Sequence, residues 1–293
     1  MAPQEQERIY FIGGTGGVGS KAVQDVLDKG YLITIYTRQP AKSTLNGHPQ
    51  VTLVQGDYDD LTPFEKTIGG HSRLFLLVST LVGMPKIKST LARMAYSAGV
   101  KQIVDISSLT CDVVPHTGIG QAHLRSEEAI RAVQPKTNGS YVSLRPWRFM
   151  SNHHHSKHAI KTQNAIVGTA APDCVQGWIS PNDIGALAAI VLSDPIEKHD
   201  GTIYLMIGQL LTAAERAQAL SKALGRTITY KQWSLKEQYD LMTAVIGAPH
   251  KIAYDLASDI LPDTPMSPGL SLVLGREPET LDEWLAKNKD DFN

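Results

Sequence analysis

The segment RIYFIGGTGGVG, Arg8 to Gly19, most constrains what this chain can fold into. A run of branched and aromatic residues ends in five glycines within seven positions, and apolar Val18, Ala22, Val23 and Val26 follow at helical spacing. The run predicts a buried strand, and the spacing predicts a helix over 17–29 capped by Gly30. A turn this tight needs residues that tolerate positive φ, and an anion approaches backbone only where no Cβ intervenes. The free N–H groups of the helix start then face a phosphate. Gly13, Thr15, Gly16, Gly17, Val18 and Gly19 are therefore candidate phosphate contacts; the alternative is a glycine-rich turn with no ligand.

The same rhythm continues. Strand-like runs at 31–37, 51–56, 74–80, 101–107 and 140–146 alternate with helical patterns at about 60–69, 84–98 and 119–134. Strand, helix, strand at this spacing predicts an α/β, doubly wound parallel-sheet Rossmann fold. We expect a nucleotide-binding core over 1–150 and a smaller C-terminal α/β region over 151–293, some of whose segments rejoin the core sheet. In that region 166–171 and 202–208 read as strands and 178–192 as a turn and helix. The proline-bearing stretch 261–280 reads as a long surface connection. Thr62 with Pro63 and Glu65 predicts a capped helix start. Thr212 with Glu215, Ser234 with Glu237 and Thr280 with Glu283 have capping-box spacing.

The end of the second strand distinguishes cofactor variants. A ribose-binding site there usually offers Asp or Glu; this chain has Thr37-Arg38. Arginine cannot accept a hydrogen bond, but its fork suits a 2′-phosphate. Arg38 is thus either a selector for NADP(H) or a solvated cation. Asp57 and Tyr58 follow the third strand, where Asp57 can accept from an adenine amino group or serve as a helix-start acid. Val78, Ser79 and Thr80 end the fourth strand, where backbone passes the ribose and pyrophosphate.

Composition narrows the classes. Lys plus Arg total 28 and Asp plus Glu 29, a net charge of -1, which argues against a nucleic-acid partner. Cys111 and Cys174 are the two cysteines, too few for a disulfide framework, and fit a reducing compartment. No apolar run approaches a membrane span and MAPQEQER has no apolar leader. The expectation is a cytoplasmic protein without a membrane partner; nothing indicates its oligomeric state.

Taken together, GGTGGVG, Arg38, GDYDD (56–60), DISSL (105–109), HLRSEEAI (123–130), LRPWRFMSN (144–152), WISPNDIGALAAIVL (178–192), GQLLTAAERAQALSKALGR (208–226) and REPETLDEWL (276–285) resemble the NmrA-like branch of the atypical short-chain dehydrogenase/reductase superfamily. The resemblance spans nearly the whole chain. It implies a Rossmann core binding NADP(H) beneath a small C-terminal region. It also implies either a reductase of small molecules (carbonyls, quinones, imines or activated alkenes) or a regulator that binds NADP without turnover. An isomerase using the nucleotide structurally is a third class.

The wider superfamily pairs a tyrosine with a lysine four residues later, and none of the ten tyrosines here has that partner. Spacing to Glu127 puts His123 at the lysine position and Ile119 at the tyrosine position. His123 could hold the ribose or relay a proton, since an unperturbed imidazole titrates near neutrality. Ser107 and Ser108 could donate to a carbonyl or orient water. Pro146 is expected beside the cofactor, and Trp147, Phe149 and His153 beside a flat substrate. His153, His154, His155 and His158 form a histidine cluster, but no third acid or HExxH pattern supports a metal, and none is expected.

Overall fold

The computed structural model describes residues 7–114, 117–257, 266–267 and 269–293. Along the chain the strands are β1 (Arg8–Ile12), β2 (Leu32–Thr37), β3 (Val51–Gln55), β4 (Arg73–Leu76), β5 (Gln102–Ile106), β6 (Ser140–Pro146), β7 (Arg148–Phe149), β8 (Ala165–Gly168), β9 (Gln176–Ile179), β10 (Ile203–Met206), β11 (Gln209–Leu211) and β12 (Thr229–Gln232). The helices are α1 (Gly17–Asp28), α2 (Thr62–Thr67), α3 (Met84–Ser97), α4 (Gly118–Val133), α5 (Lys157–Gln163), α6 (Pro181–Val191), α7 (Ile196–His199), α8 (Ala213–Leu224), α9 (Leu235–Asp240), α10 (His250–Ala257), α11 (Gly269–Leu274) and α12 (Leu281–Asn288).

Strands β1 to β6 pair in parallel in the order β3-β2-β1-β4-β5-β6, and β10 lies beside β6 at the edge. This is the doubly wound sheet expected from the rhythm of the sequence. Every residue of β4, β5 and β6 is buried, as a parallel sheet covered on both faces requires. Strand order reverses between β1 and β4, and ligands bind outside the carboxyl ends of strands at such a point. Helix α1 ends as expected: Gly30, at φ +87°, donates to Leu27.

By backbone contacts the chain forms two units. One holds residues through Cys111, Gln121–Pro146 and Asn182–Leu205; the other holds Asp112–Gly120, Trp147–Pro181 and Met206–Asn293. In the first unit, Gly185 brings α6 onto α1, since a Cβ there would stand 2.6 Å from the Val18 carbonyl oxygen. The second unit carries the three-stranded sheet β11-β9-β7 and the pair β12-β8. Its core joins Met150, Trp178, Leu220, Trp284 and Phe292, among others.

Four local expectations are corrected. The fourth strand stops at Leu76, because its partner β1 turns away at Gly13 (φ +83°) immediately after Ile12 pairs with Leu76. The stretch 178–192 is not only turn and helix: Trp178 and Ile179 belong to β9, paired with β11 and β7. Proline at the first position of α6 separates the two elements. Thr62 does not cap α2; it lies inside the helix, and Asp60 Oδ1 accepts its N–H at 2.9 Å. Within 261–280, residues 261–265 and 268 lie outside the described residues, while Gly269–Leu274 is helical rather than a connection. Leu270 is its buried residue, while Leu272 is exposed. The other three capping boxes form with both hydrogen bonds.

Candidate functional site

A groove of about 730 Å³ opens at the strand ends of the first unit. Gly13 and Thr15 line its start. Gly13 must be glycine, because at φ +83° a Cβ would lie 2.6 Å from the Leu77 carbonyl oxygen. Gly19 has a different reason: its Cβ would stand 2.0 Å from the Gly13 carbonyl oxygen, so it lets helix α1 press onto the loop. At Gly16 a Cβ would meet no protein atom within 4 Å. Packing therefore does not require that glycine, whereas approach of a ligand to the backbone would. No side chain caps α1 and no acid stands in its first turn. The first intrahelical bond is donated by Ser20 to Gly16 (2.6 Å), so the N–H groups of Gly17, Val18 and Gly19 precede it. Gly16 and Gly17 are exposed; Val18 and Gly19 are buried and act as framework.

Arg38, Gln39, Lys42 and Ser43 line the far end of the groove. Arg38 is exposed and has no carboxylate within ion-pair distance among the described residues. Two cations that pair with no carboxylate among the described residues fit a phosphate better than a ribose diol. Tyr36 shapes the next stretch: its hydroxyl donates to the carbonyls of Asp57 (2.8 Å) and Asp60 (3.0 Å). It also fills the space where Gly56 would carry a Cβ, 2.1 Å from the Tyr36 oxygen. Asp57 Oδ1 is engaged by the N–H groups of Asp59 (2.9 Å) and Asp60 (3.2 Å), so the Asp57 carboxylate closes a turn while lining the groove. Tyr58 lines it too, and burial raises its phenol above the ordinary range, offset in part by nearby Ser79. Ser79 and Thr80 line the groove, whereas Val78 is buried away from it. Pro146 is buried at the end of β6.

Beneath the ends of β5 and β6 the same unit buries two ion pairs. Lys88 Nζ donates to Asp105 Oδ1 (2.6 Å) and to the Ile106 carbonyl (3.0 Å), and Tyr141 donates to Asp105 Oδ2 (3.1 Å). Glu127 on α4 accepts from Arg145 Nε (2.9 Å) and Nη2 (2.8 Å), Ser143 (2.8 Å) and Ser107 (2.6 Å). Burial alone would raise the Glu127 carboxyl, but these donors outweigh it and hold it below the ordinary range. Ser107 has therefore committed its proton to Glu127. Ser108 differs: its oxygen accepts from the Thr110 hydroxyl (2.8 Å) and N–H (3.2 Å), leaving its own O–H to be donated.

His123 does not titrate near neutrality. Burial, reinforced by the Lys88 charge, pushes its pKa down to about 3, and its Nδ1 is sealed without a hydrogen-bond partner. It is a neutral imidazole at physiological pH. The proton-relay and ribose-holding alternatives for His123 both start from that neutral ring.

Trp147, Phe149 and His153 fall in the second unit. Trp147 is buried with Nε1 unpartnered, Phe149 is partly buried in β7, and His153 is buried against Trp178 at 4.8 Å between ring centroids. His154 is engaged elsewhere, stacking on Phe292 (5.0 Å) and pairing with Asp291 (3.2 Å). Among the described residues no group of three His, Cys, Asp or Glu is arranged to hold a metal.

Residues 5–261 match the sequence profile of the NmrA-like family. The chain belongs to the NmrA-like family. Within reach of this NmrA-like chain is the NAD(P)H azoreductase of Xenophilus azovorans, 25% identical over 246 residues, 84% of this chain and 83% of that one. The structure of an NADPH-dependent quinone oxidoreductase from Escherichia coli in complex with NADPH superposes with a TM-score of 0.80. It is 26% identical and covers 96% of this chain and 99% of its own. NmrA itself, a negative transcriptional regulator solved with NADP, shares the fold at a TM-score of 0.75 and 16% identity, covering 97% and 95%.

Sequence reasoning missed the Glu127–Arg145 and Lys88–Asp105 pairs and the placement of Lys42. One signal was present. Tyr141, Ser143 and Arg145 alternate along a strand buried on both sides, so the polar members needed buried partners.

Proposed function

We propose that this NmrA-like protein is an NADPH-dependent reductase of a small organic substrate. The observation that carries the reading is Arg38 just after β2, without an acidic partner among the described residues, sharing with Lys42 a groove whose lining starts at Gly13 and Thr15, ahead of the uncapped α1. Gly16, Gly17 and the α1 N–H groups hold the pyrophosphate, Arg38 and Lys42 the 2′-phosphate, and the Gly56–Asp60 turn the adenine. Bound NADPH supplies the hydride; the protein orients it and excludes water. Ser108, with its proton uncommitted, is the hydroxyl suited to donate to the reduced group, while Glu127 positions Ser107 as an acceptor. The similarity to azoreductase and quinone oxidoreductase supports a substrate with a reducible N=N or C=O group.

The test is NADPH and NADH titration followed by NADPH oxidation with quinones, imines, azo compounds and enones. Tight NADPH binding with one class turned over supports the proposal. Binding without turnover of any class leaves the second reading, an NADP sensor. That reading is favoured by one feature: neither Ser107 nor the neutral His123 can act as an acid.

A further inference from the structure

The second unit carries a charge that no acid among its described residues balances. Helix α8 turns Ala213, Arg216, Ala217 and Leu220 to the interior, so a cation stands in its apolar stripe. Arg216 is 7% exposed. Its Nη2 donates to Gln176 Oε1 across a long 3.3 Å, and its Nε has no partner. No carboxylate lies within ion-pair distance among the described residues. The groups that bear on its charge are Tyr230, Arg148 and Cys174, none of them a carboxylate, and Arg148 adds to the positive field. A buried guanidinium without a counter-ion is costly, and proteins ordinarily pair it.

Further unpartnered polar atoms lie around it. The guanidinium carbon sits 4.6 Å from the Trp178 ring centre, and the His153 ring packs on the same indole at 4.8 Å. Trp178 Nε1 and His153 Nε2 are buried with no hydrogen-bond partner, like Arg216 Nε. His153 Nδ1 donates to the Met150 carbonyl (2.7 Å), so Nε2 of the neutral ring offers a lone pair. One fixed positive charge, two N–H donors and one acceptor therefore gather around an indole.

We propose that the second unit binds a flat organic anion, an aromatic carboxylate or sulfonate, with Arg216 pairing the anionic group and Trp178 and His153 flanking it. This ligand belongs to the second unit alone, and the assignment does not depend on the reductase reading. Burial lowers the Arg216 pKa to about 10, so the group still carries its charge at neutral pH.

Calorimetry on the full chain with benzoate and with benzamide, its uncharged isostere, tests the assignment. Wild-type protein is expected to bind benzoate at least about tenfold more tightly, about 1.4 kcal/mol. Arg216→Gln is expected to abolish that preference, Arg216→Lys to restore part of it, and NADPH affinity to remain unchanged in both. Equal binding of benzamide and benzoate, no binding of either up to on the order of 10 mM, or a preference surviving in Arg216→Gln overturns the proposal. If Arg216→Gln fails to fold, the wild-type comparison of the two probes decides. The reductase reading fails separately, by absent NADPH oxidation while the benzoate preference persists.

Discussion

Ser107 gives its hydroxyl proton to Glu127 across 2.6 Å, and Glu127 is in turn held by both Nε and Nη2 of Arg145. A carboxylate with four donors is an anchor, and its proton acceptance from Ser107 separates two adjacent serines into different roles. Ser108→Ala is expected to lower kcat by about a hundredfold or more, in the range of positioned acid catalysis. Ser107→Ala is expected to act mainly on stability. Steady-state kinetics beside urea unfolding of each variant checks the split, and equal kcat losses would remove it.

Removing Glu127 takes away the carboxylate to which buried Arg145 donates from Nε and Nη2. Glu127→Ala is expected to cost about 3–5 kcal/mol of unfolding free energy. Replacing Glu127 and Arg145 together by apolar residues should cost less than Glu127→Ala alone. A double-mutant cycle by urea denaturation measures both.

The glycines of the loop should divide by mechanism. Gly16→Ala puts a Cβ into open space at a φ of -89°, so its melting temperature should stay near wild type while NADPH binding falls at least about tenfold. Gly19→Ala drives a Cβ to 2.0 Å from a carbonyl oxygen and should destabilise the fold itself. Thermal melts and NADPH titration on both variants separate the two cases.

Arg38→Ala is expected to weaken NADPH by about ten- to hundredfold, about 1.4–2.8 kcal/mol, and to leave NADH nearly unchanged. Fluorescence titration with both nucleotides reads the difference. An unchanged NADPH preference would exclude Arg38 from the 2′-phosphate site.

Burial lowers His71, His123, His153 and His155 and makes the fold acid-sensitive, most of all through His123 and His153. Burial lowers His123 and His153 to about 3 in the folded state, while unfolded imidazoles titrate near about 6.5. Between those values the unfolded chain binds protons that the folded chain does not. Their contribution to stability is thus present above about pH 6.5 and lost as pH falls toward 3. Urea midpoints measured from about pH 7.5 down to about pH 5 should decline. The decline should be shallower in His153→Asn, if that variant folds, or in His123→Asn.

The sequence by itself determined the doubly wound fold, the glycine loop between β1 and α1 and the candidate cofactor selector. Each rests on local information: the period of apolar residues, glycine at positive φ, and the residue type at a strand end. Arg38 was legible because strand β2 ends at Thr37 whatever the rest of the chain does. The tertiary structure decided which serine keeps its proton, since Glu127 lies twenty residues from Ser107. It also decided that His123 is neutral, because desolvation depends on everything packed around the imidazole and not on its neighbours in sequence. Arg216 reads as one more helix-surface arginine until Gln176 and Trp178, some forty residues earlier, are placed against it. Burial and charge pairing are properties of the assembled chain, and there the chemistry of this protein is set.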